Sequence, residues 1–254
     1  MDATRERAIW LPRQRVDLSL AAESAWMEKV RESGQARLLL WQAGFPAVVL
    51  GRSQVMEKEV YEEECRVRGV PVLRRASGGG AVFQMPGVFN YSLILPEKSR
   101  LSIRGGFRLG TGLIQDVLRR LGLESALQGV SDVTVGGRKI SGNAVAQVNR
   151  VLLVHGTLLA EMDMSLLEAC LRRPSREPDY RKGRSHREFL TTLTALRGWG
   201  GDLRKSAAPD SWKRAIPYEV PTGAFTVAGS HLLSQLGQHC SASAVSAFKD
   251  VSVV

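Results

Sequence analysis

Two stretches of this sequence concentrate side chains that could do chemistry. In LRRASGGGAVF, Leu73 to Phe83, two arginines and a serine run into Gly78, Gly79 and Gly80, just ahead of strand-forming Ala81 and Val82. Successive backbone N–H groups in a glycine-rich turn make a concavity that holds an anion, and Arg74 and Arg75 add charge beside it. A bare glycine triplet is more often a tight hairpin with a residue at positive φ, so the run alone does not decide. The second stretch is SDVTVGGRKISGNAVAQ, Ser131 to Gln147. Read as a strand from Arg138 to Ala144, its period of two puts Lys139, Ser141 and Asn143 on one face, an ammonium, a hydroxyl and an amide. Gly142 between them lets something large approach the backbone. Farther on, LLVHGTLL sets His155 and Thr157 on one face of another apolar strand. Such polar rows are commonly solvated surface. Here the apolar residues beside them and the glycines around them favour a ligand site. No GxxxxGKS/T phosphate loop is present, and no GxGxxG opens a helix. The residues alone thus reach an anion site built from Ser77 to Gly80 and Lys139, with the reaction open.

The elements that must position these groups read as follows. Val16 to Val30 is an amphipathic helix through Leu18, Leu20, Ala21, Ala25, Trp26 and Val30. Arg37 to Trp41 and Ala47 to Gly51 look like two strands paired across the turn Ala43-Gly44-Phe45-Pro46. Glu57 to Arg68 is charge-rich and helical, ended by Gly69. Strands are expected at VPVLRR, GAVF and FNYSLIL; the last alternates, with Phe89, Tyr91, Leu93 and Leu95 on one face. Phe107 to Leu121 returns to helical period, and a helix is expected from about Ser165 to Arg172. Hairpins mixed with helices in no βαβ rhythm argue for α+β with a largely antiparallel sheet. Ala224 to Val227 reads as a strand and Ser230 to Leu236 as a short helix.

The 254 residues suffice for one large domain or two small ones and a real core, with 44% hydrophobic and 24% charged residues, as in soluble globular chains. No apolar run approaches a membrane span, and MDATRERAIW lacks the apolar core of a secretion signal. Cys65, Cys170 and Cys240 are far apart and fit no metal-ligand spacing, so a reduced, cytoplasmic setting is expected. The net charge of +10, from 35 Lys+Arg against 25 Asp+Glu, points to an anionic partner. Arg172 to Arg187 is the densest basic stretch, either a docking surface or a solvated loop.

RRASGGGAVF, NYSLIL, GGRKISGNA and HGTLL, in that order, resemble the lipoate–protein ligases. LLLWQAGFPAVVLGRSQ, Leu38 to Gln54, resembles the family's tryptophan strand and its G-R-x-Q element, and REFLT, Arg187 to Thr191, a downstream piece. The resemblance runs from about Leu18 to Leu196; the GRGRxGR run of the related biotin ligases is absent. It implies a mixed, largely antiparallel sheet flanked by helices, of the biotin/lipoate ligase catalytic type. One such domain would occupy the chain in a compact form lacking the C-terminal accessory domain, with residues 199–254 unassigned. It also implies two steps. Lipoate or octanoate and ATP give an acyl-adenylate and pyrophosphate, and a carrier-protein lysine then displaces AMP.

By that resemblance Lys139 is catalytic, bridging carboxyl and phosphate, and Asp132 lies near Mg²⁺. The adenylate would lie against Ser77, Gly78, Gly79, Gly80, Ala81 and Val82, with Arg75 on a phosphate or carboxyl oxygen. The lipoyl tail would lie in an apolar slot against Trp41 and Val82. Asn90, Ser141, Gly142, Asn143, His155, Gly156 and Thr157 complete the expected binding set. The sequence departs from the family at Gln84, where histidine is common, at Ser131, commonly asparagine, and at Val154, the first of a histidine pair. These departures bear on metal geometry and substrate fit. The implied partners are acidic lipoyl-domain carriers, such as dehydrogenase E2 or glycine-cleavage H-like proteins, with or without a separate small accessory subunit. Neither a membrane nor a nucleic acid is expected, since no RNA- or DNA-binding motif is present. Two alternatives stand beside the ligase: an octanoyl or lipoyl transferase between carriers, and a non-catalytic binding protein for lipoyl domains or nucleic acid. Some transferases use a nucleophilic cysteine, and none of the three cysteines sits beside the lysine motif.

Overall fold

A computed structural model describes residues 8–196. The strand and helix expected at Ala224 to Val227 and Ser230 to Leu236, and Cys240, lie outside the described residues. Ten strands and six helices follow in chain order: β1 (Ala8–Gln14), α1 (Val16–Ser33), β2 (Arg37–Ala43), β3 (Ala47–Leu50), α2 (Met56–Glu59) and α3 (Glu62–Val67). Next come β4 (Val72–Arg74), β5 (Val82–Gln84), β6 (Val88–Pro96), α4 (Ile103–Arg120), β7 (Ala126–Gln128) and β8 (Asp132–Val135). β9 (Arg138–Val148), β10 (Val151–Leu159), α5 (Met164–Cys170) and α6 (His186–Phe189) complete them. Seven strands form one sheet in the order β1-β2-β6-β10-β9-β8-β7, and a second sheet has the order β4-β3-β5. Among the described strands only the β1/β2 and β3/β4 pairs are parallel. The α+β expectation holds. No helix among the described residues is long and apolar enough to cross a membrane.

The large sheet is sandwiched between α1 and α4, and period-two alternation assigns its faces. Leu38 and Leu40 of β2, Phe89, Tyr91, Leu93 and Leu95 of β6, and Leu152 and Val154 of β10 pack under α4's Leu113, Ile114, Val117 and Leu118. The intervening Leu39, Ile94 and Leu153 pack under Met27 and Val30 of α1. Ser102 starts α4 by accepting the Gly105 N–H. Asp163 starts α5 likewise, and Ser185 with Glu188 forms a capping box on α6.

Two expectations need correction. β2 and β3 are not partners: β2 sits between β1 and β6, and β3 between β4 and β5 in the other sheet. Each is a central strand buried on both faces, so neither shows the alternation that would have told a hairpin from a crossing between sheets. The helix expected from Glu57 to Arg68 is two helices, interrupted where Val60 turns extended (φ −129°, ψ 155°) and bridges to Leu171. Val60 is fully buried in the small sheet's core, and that burial overrides the helical propensity around it. β1, β7 and β8 carry no strand signal strong enough to be expected.

Ile140, between Lys139 and Ser141 on β9, is fully buried in the α4-side core. Ile140→Ala is expected to cost about 2–5 kcal/mol of stability. A lowered denaturation midpoint at unchanged m-value would record it; an unchanged midpoint would contradict this packing.

Candidate active site

The α1 side of the large sheet changes from apolar to polar along its strands. β6 and β10 pair so that Ser92 lies opposite His155 and Asn90 opposite Thr157, and β2 adds Trp41 opposite Asn90. Helix α1 follows the same gradient: its buried stripe is Val16, Ser19, Glu23, Met27 and Val30. Met27 and Val30 cover apolar strand residues, Glu23 covers Ser92 and His155, and Leu20 and Val16 pack against Trp41.

Beyond the helix a cleft with two connected lobes opens. The smaller, about 130 Å³, has apolar walls from Leu20, Trp41, Val49, Val82 and Ala144, with Arg75, His155 and Asn90 among its polar groups. The larger, about 240 Å³, is walled by Phe83, Met162, Leu167, Leu171 and Phe189, with Arg172, Arg176, Arg181 and His186. Gly80, Ala81, Val82, Asp132, Lys139, Gly142 and Thr157 line both lobes.

Lys139 stands at that junction. Its Nζ lies 2.9 Å from Asp132 Oδ1. Ser131 Oγ also donates to Oδ1, at 3.1 Å, and Tyr180 Oη donates to Oδ2 at 2.7 Å. Burial first, then the Asp132 charge, pushes the Tyr180 phenol above its ordinary range, so it remains a donor. The expected single face of Lys139, Ser141 and Asn143 is divided. A register shift against β8 pairs Val133 with Ser141 but Thr134 with Lys139, leaving Ile140 as the extra residue of a bulge. Ser141 and Asn143 stay together, Asn143 Nδ2 donating to Ser141 Oγ at 3.1 Å while its Oδ1 accepts from Tyr91 Oη at 2.6 Å. Lys139 falls on the side of Gly142, where a Cβ would meet Lys139 Cε and Nζ at 2.9 Å. The glycine is needed so that the lysine can fold back across the strand.

Arg75 and the glycine turn are bound into a buried chain. Arg75 Nη2 donates to Gly78 O at 2.6 Å and Gly80 O at 2.9 Å, Nη1 to Val49 O, and Nε to Ser77 Oγ at 3.0 Å. Ser77 Oγ and His155 Nε2 are 2.6 Å apart, and His155 Nδ1 lies 2.8 Å from Glu23 Oε1, which also accepts from Ser92 Oγ. A carboxylate at Nδ1 favours the proton on that nitrogen, leaving Nε2 to accept from Ser77. Burial lowers the Arg75 pKa to about 10 against the opposing pull of Glu23. Burial pushes Glu23 upward, but His155, Ser92 and Arg75 outweigh it and hold the carboxyl below its usual value. Of the three glycines only Gly79 has positive φ, at 91°.

Most of the expected set converges: Trp41, Arg75, Gly79, Gly80, Ala81, Val82, Asn90, Asp132, Lys139, Gly142, Asn143, His155, Gly156 and Thr157 line the cleft. Ser77 and Ser141 stand behind that lining, both fully buried, and Gly78 is half-buried outside it. Asn90 spends both amide ends on Gln84, at 2.7 and 3.0 Å. As the side chains stand, Asp132 is one carboxylate held by a lysine, a serine and a tyrosine. Among the described residues no cluster of three or more acidic, histidine or cysteine side chains joins to hold a metal. These residues do not by themselves form a magnesium cage.

Sequence reasoning missed Glu23, Tyr180 and the inward role of the basic stretch. Glu23 was legible, since it falls three residues after Leu20 and four before Met27, in the middle of an apolar stripe. Arg181 is buried against the Phe189 ring, 4.7 Å to its centroid, and Arg184 donates to Gly137, Tyr180 and Arg181 carbonyls. These two arginines hold the loop and do not present charge to a docking partner.

Two sheets flanked by helices, with a cleft where they meet, have the architecture of a lipoate-ligase catalytic domain. The chain belongs to the lipoyl protein ligase A/B catalytic-domain family, whose model matches residues 16–213. It is 40% identical over 147 residues to a protein of Aeropyrum pernix assigned as a lipoate-protein ligase A, covering 58% of this chain and 54% of that one. It is 30% identical over 155 residues to lipoate–protein ligase 1 of Staphylococcus aureus, covering 61% and 46%. The chain thus spans about half the length of these curated relatives. In three dimensions it resembles the bipartite lipoate protein ligase of Thermoplasma acidophilum, studied with its E2 lipoyl domain. The TM-score is 0.67 at 25% identity, over 89% of this chain and 83% of that one.

The lowered Glu23 pKa has a signed consequence. The carboxylate contributes stability that is fully present above the ordinary value of 4.5 and is lost as pH falls through the lower folded value. Glu23→Gln is therefore expected to destabilise by about 3–5 kcal/mol near neutrality. The gap from the parent should narrow in acid. Denaturation midpoints measured at both pH values check this, and an equal gap at both would contradict it.

Proposed function

We propose that this protein activates lipoate, or a medium-chain acid such as octanoate, with ATP, and passes the acyl group to a lysine of an acidic lipoyl-domain carrier. The observation that carries this reading is the position of Lys139, shared by an apolar lobe and a larger cationic one. The acid's tail suits the lobe of Leu20, Trp41, Val49 and Val82, and the nucleotide suits the other. A carboxylate oxygen attacks the α-phosphorus, the bond to pyrophosphate breaks, and a mixed anhydride forms. Two anions repel as they meet, and the ammonium of Lys139 offsets that repulsion. Asp132, already paired with Lys139, holds the ammonium in place until a phosphate or carboxylate oxygen takes it over. In the second step an uncharged acceptor amine attacks the acyl carbon and AMP leaves. Magnesium, when carried in with the triphosphate, would supply further charge neutralisation.

The E2 lipoyl domain studied with the Thermoplasma ligase supports a carrier of the same kind here. That ligase is bipartite, which supports a separate accessory subunit as well. Exposed Arg173, Arg176, Lys182 and Arg187 are the basic side chains suited to an acidic carrier. The cysteines weigh against a thioester relay. Cys65 and Cys170 are buried in the small-sheet core, and burial raises Cys65 to about 12 and moves Cys170 upward too. A thiol in that state is a poor nucleophile.

Lipoate-dependent exchange of label between pyrophosphate and ATP tests the first step. Lys139→Ala is expected to reduce it about 10²–10³-fold, and Lys139→Arg to rescue poorly, because a planar fork does not replace a compact charge. Near-parental exchange in Lys139→Ala would remove the lysine from this role. Replacing Cys65 and Cys170 with alanine and Cys240 with serine should leave ATP-dependent transfer within about threefold of the parent if no acyl-thioester forms. Abolished transfer with the fold intact would favour the carrier-to-carrier transferase.

A further inference from the structure

Adenylate formation, as read above, brings a carboxylate and a polyphosphate into one cleft, and the protein must answer both charges. Fewer cations are free for this than the sequence suggests. Each nitrogen of Arg75 donates to its own chain, at Val49, Ser77, Gly78 and Gly80. Arg74 is engaged by the carbonyls of Gly51, Arg52 and Gln54. Lys139 shares its charge with Asp132. Arg172 lies over the Tyr61 ring and donates to Val60 O.

Arg181 differs. It is 3% exposed and lines the larger lobe. Its Nε donates to Arg184 O at 2.9 Å, and the nearest acid, Glu177, lies 3.6 Å from that same nitrogen. Its Nη2 is sealed from solvent with no acceptor. A buried guanidinium N–H left unanswered is costly, and such groups call for a partner. The turn that carries it is firmly held. Tyr180 beside it donates to Asp132, the partner of Lys139, and Arg184 bonds the carbonyls of both Tyr180 and Arg181. Arg181 is thus tied to the lysine through two side chains.

We propose that Arg181 is a phosphate-binding residue: a rotation of its guanidinium would turn the sealed, unpartnered Nη2 into the lobe that Arg181 lines, to donate to a phosphate oxygen of the nucleotide and share with Lys139 the charge of the polyphosphate. A guanidinium fork suits a phosphate, and stacking on Phe189 orients it. The proposal rests on the ATP-dependent reading above.

Calorimetric titration of the full chain and its variants with ATP, adenosine and lipoate, each alone, tests it. R181Q is expected to weaken ATP by about tenfold or more while adenosine and lipoate stay within about twofold, and R181K to recover part of the loss. Unchanged ATP binding, or ATP and adenosine weakened in parallel, overturns the assignment. If R181Q does not fold, the same comparison is read in R181K, with a smaller but still ATP-selective loss expected. R184Q disturbs the same turn and leaves Arg181 in place, so its ATP-to-adenosine ratio should match the parent. A ratio altered as much as in R181Q would give the effect to the turn and overturn the proposal. A parent chain that binds no ATP would overturn the ligase reading itself, a different failure.

Discussion

A carboxylate and a guanidinium, both taken out of water, join the two sheets of this molecule through a histidine and a serine. Glu23 comes from α1, His155 from β10, and Ser77 and Arg75 from the turn beyond β4. Removing either charge would leave the other buried without compensation, which is far more costly than never burying the pair. The glycine turn takes its shape from this chain, because Arg75 gathers the Gly78 and Gly80 carbonyls around its Nη2. The consequence for function is indirect. Arg75 lines the cleft with its nitrogens held by its own chain, and Ser77 braces it from behind.

Lys139 lies at the junction of the two lobes. A one-residue bulge in β9 swings Lys139 onto the Gly142 side while Ile140 stays in the core. Asp132 then holds the ammonium, and Tyr180 holds Asp132. The segment from Arg172 to Phe189 therefore walls the larger lobe through Arg172, Pro178, Arg181 and Phe189. Just beyond it the backbone is tied in as well, since Thr191 N donates to Lys139 O at 2.8 Å. A change in this segment can thus be felt at the lysine.

Much of this was legible. The apolar alternation of β6 and the periodicity of α1 and α4 are pattern signals, and the structure agrees with them within a few residues. The polar row on β10 was readable because its apolar neighbours contradict a solvated surface. What failed has physical causes. β2 and β3 are buried on both faces, so their sequences cannot say which sheet they enter. The bulge at Ile140 depends on pairing with β8, a contact that period two does not contain. Arg181 and Arg184 look like surface charge because their composition is that of a solvated loop. Only the Phe189 ring and the surrounding carbonyls turn them inward.

The central claim is that the two lobes hold an acid and a nucleotide on either side of Lys139 and deliver an acyl group to a lysine. Mass spectrometry of an apo-lipoyl domain incubated with this protein, lipoate, ATP and Mg²⁺ tests it most directly. The account predicts a domain heavier by one lipoyl group, with no gain when ATP is omitted or Lys139 is replaced by alanine. A domain left unmodified under these conditions, yet acylated without ATP from an octanoyl-carrier protein, would contradict it.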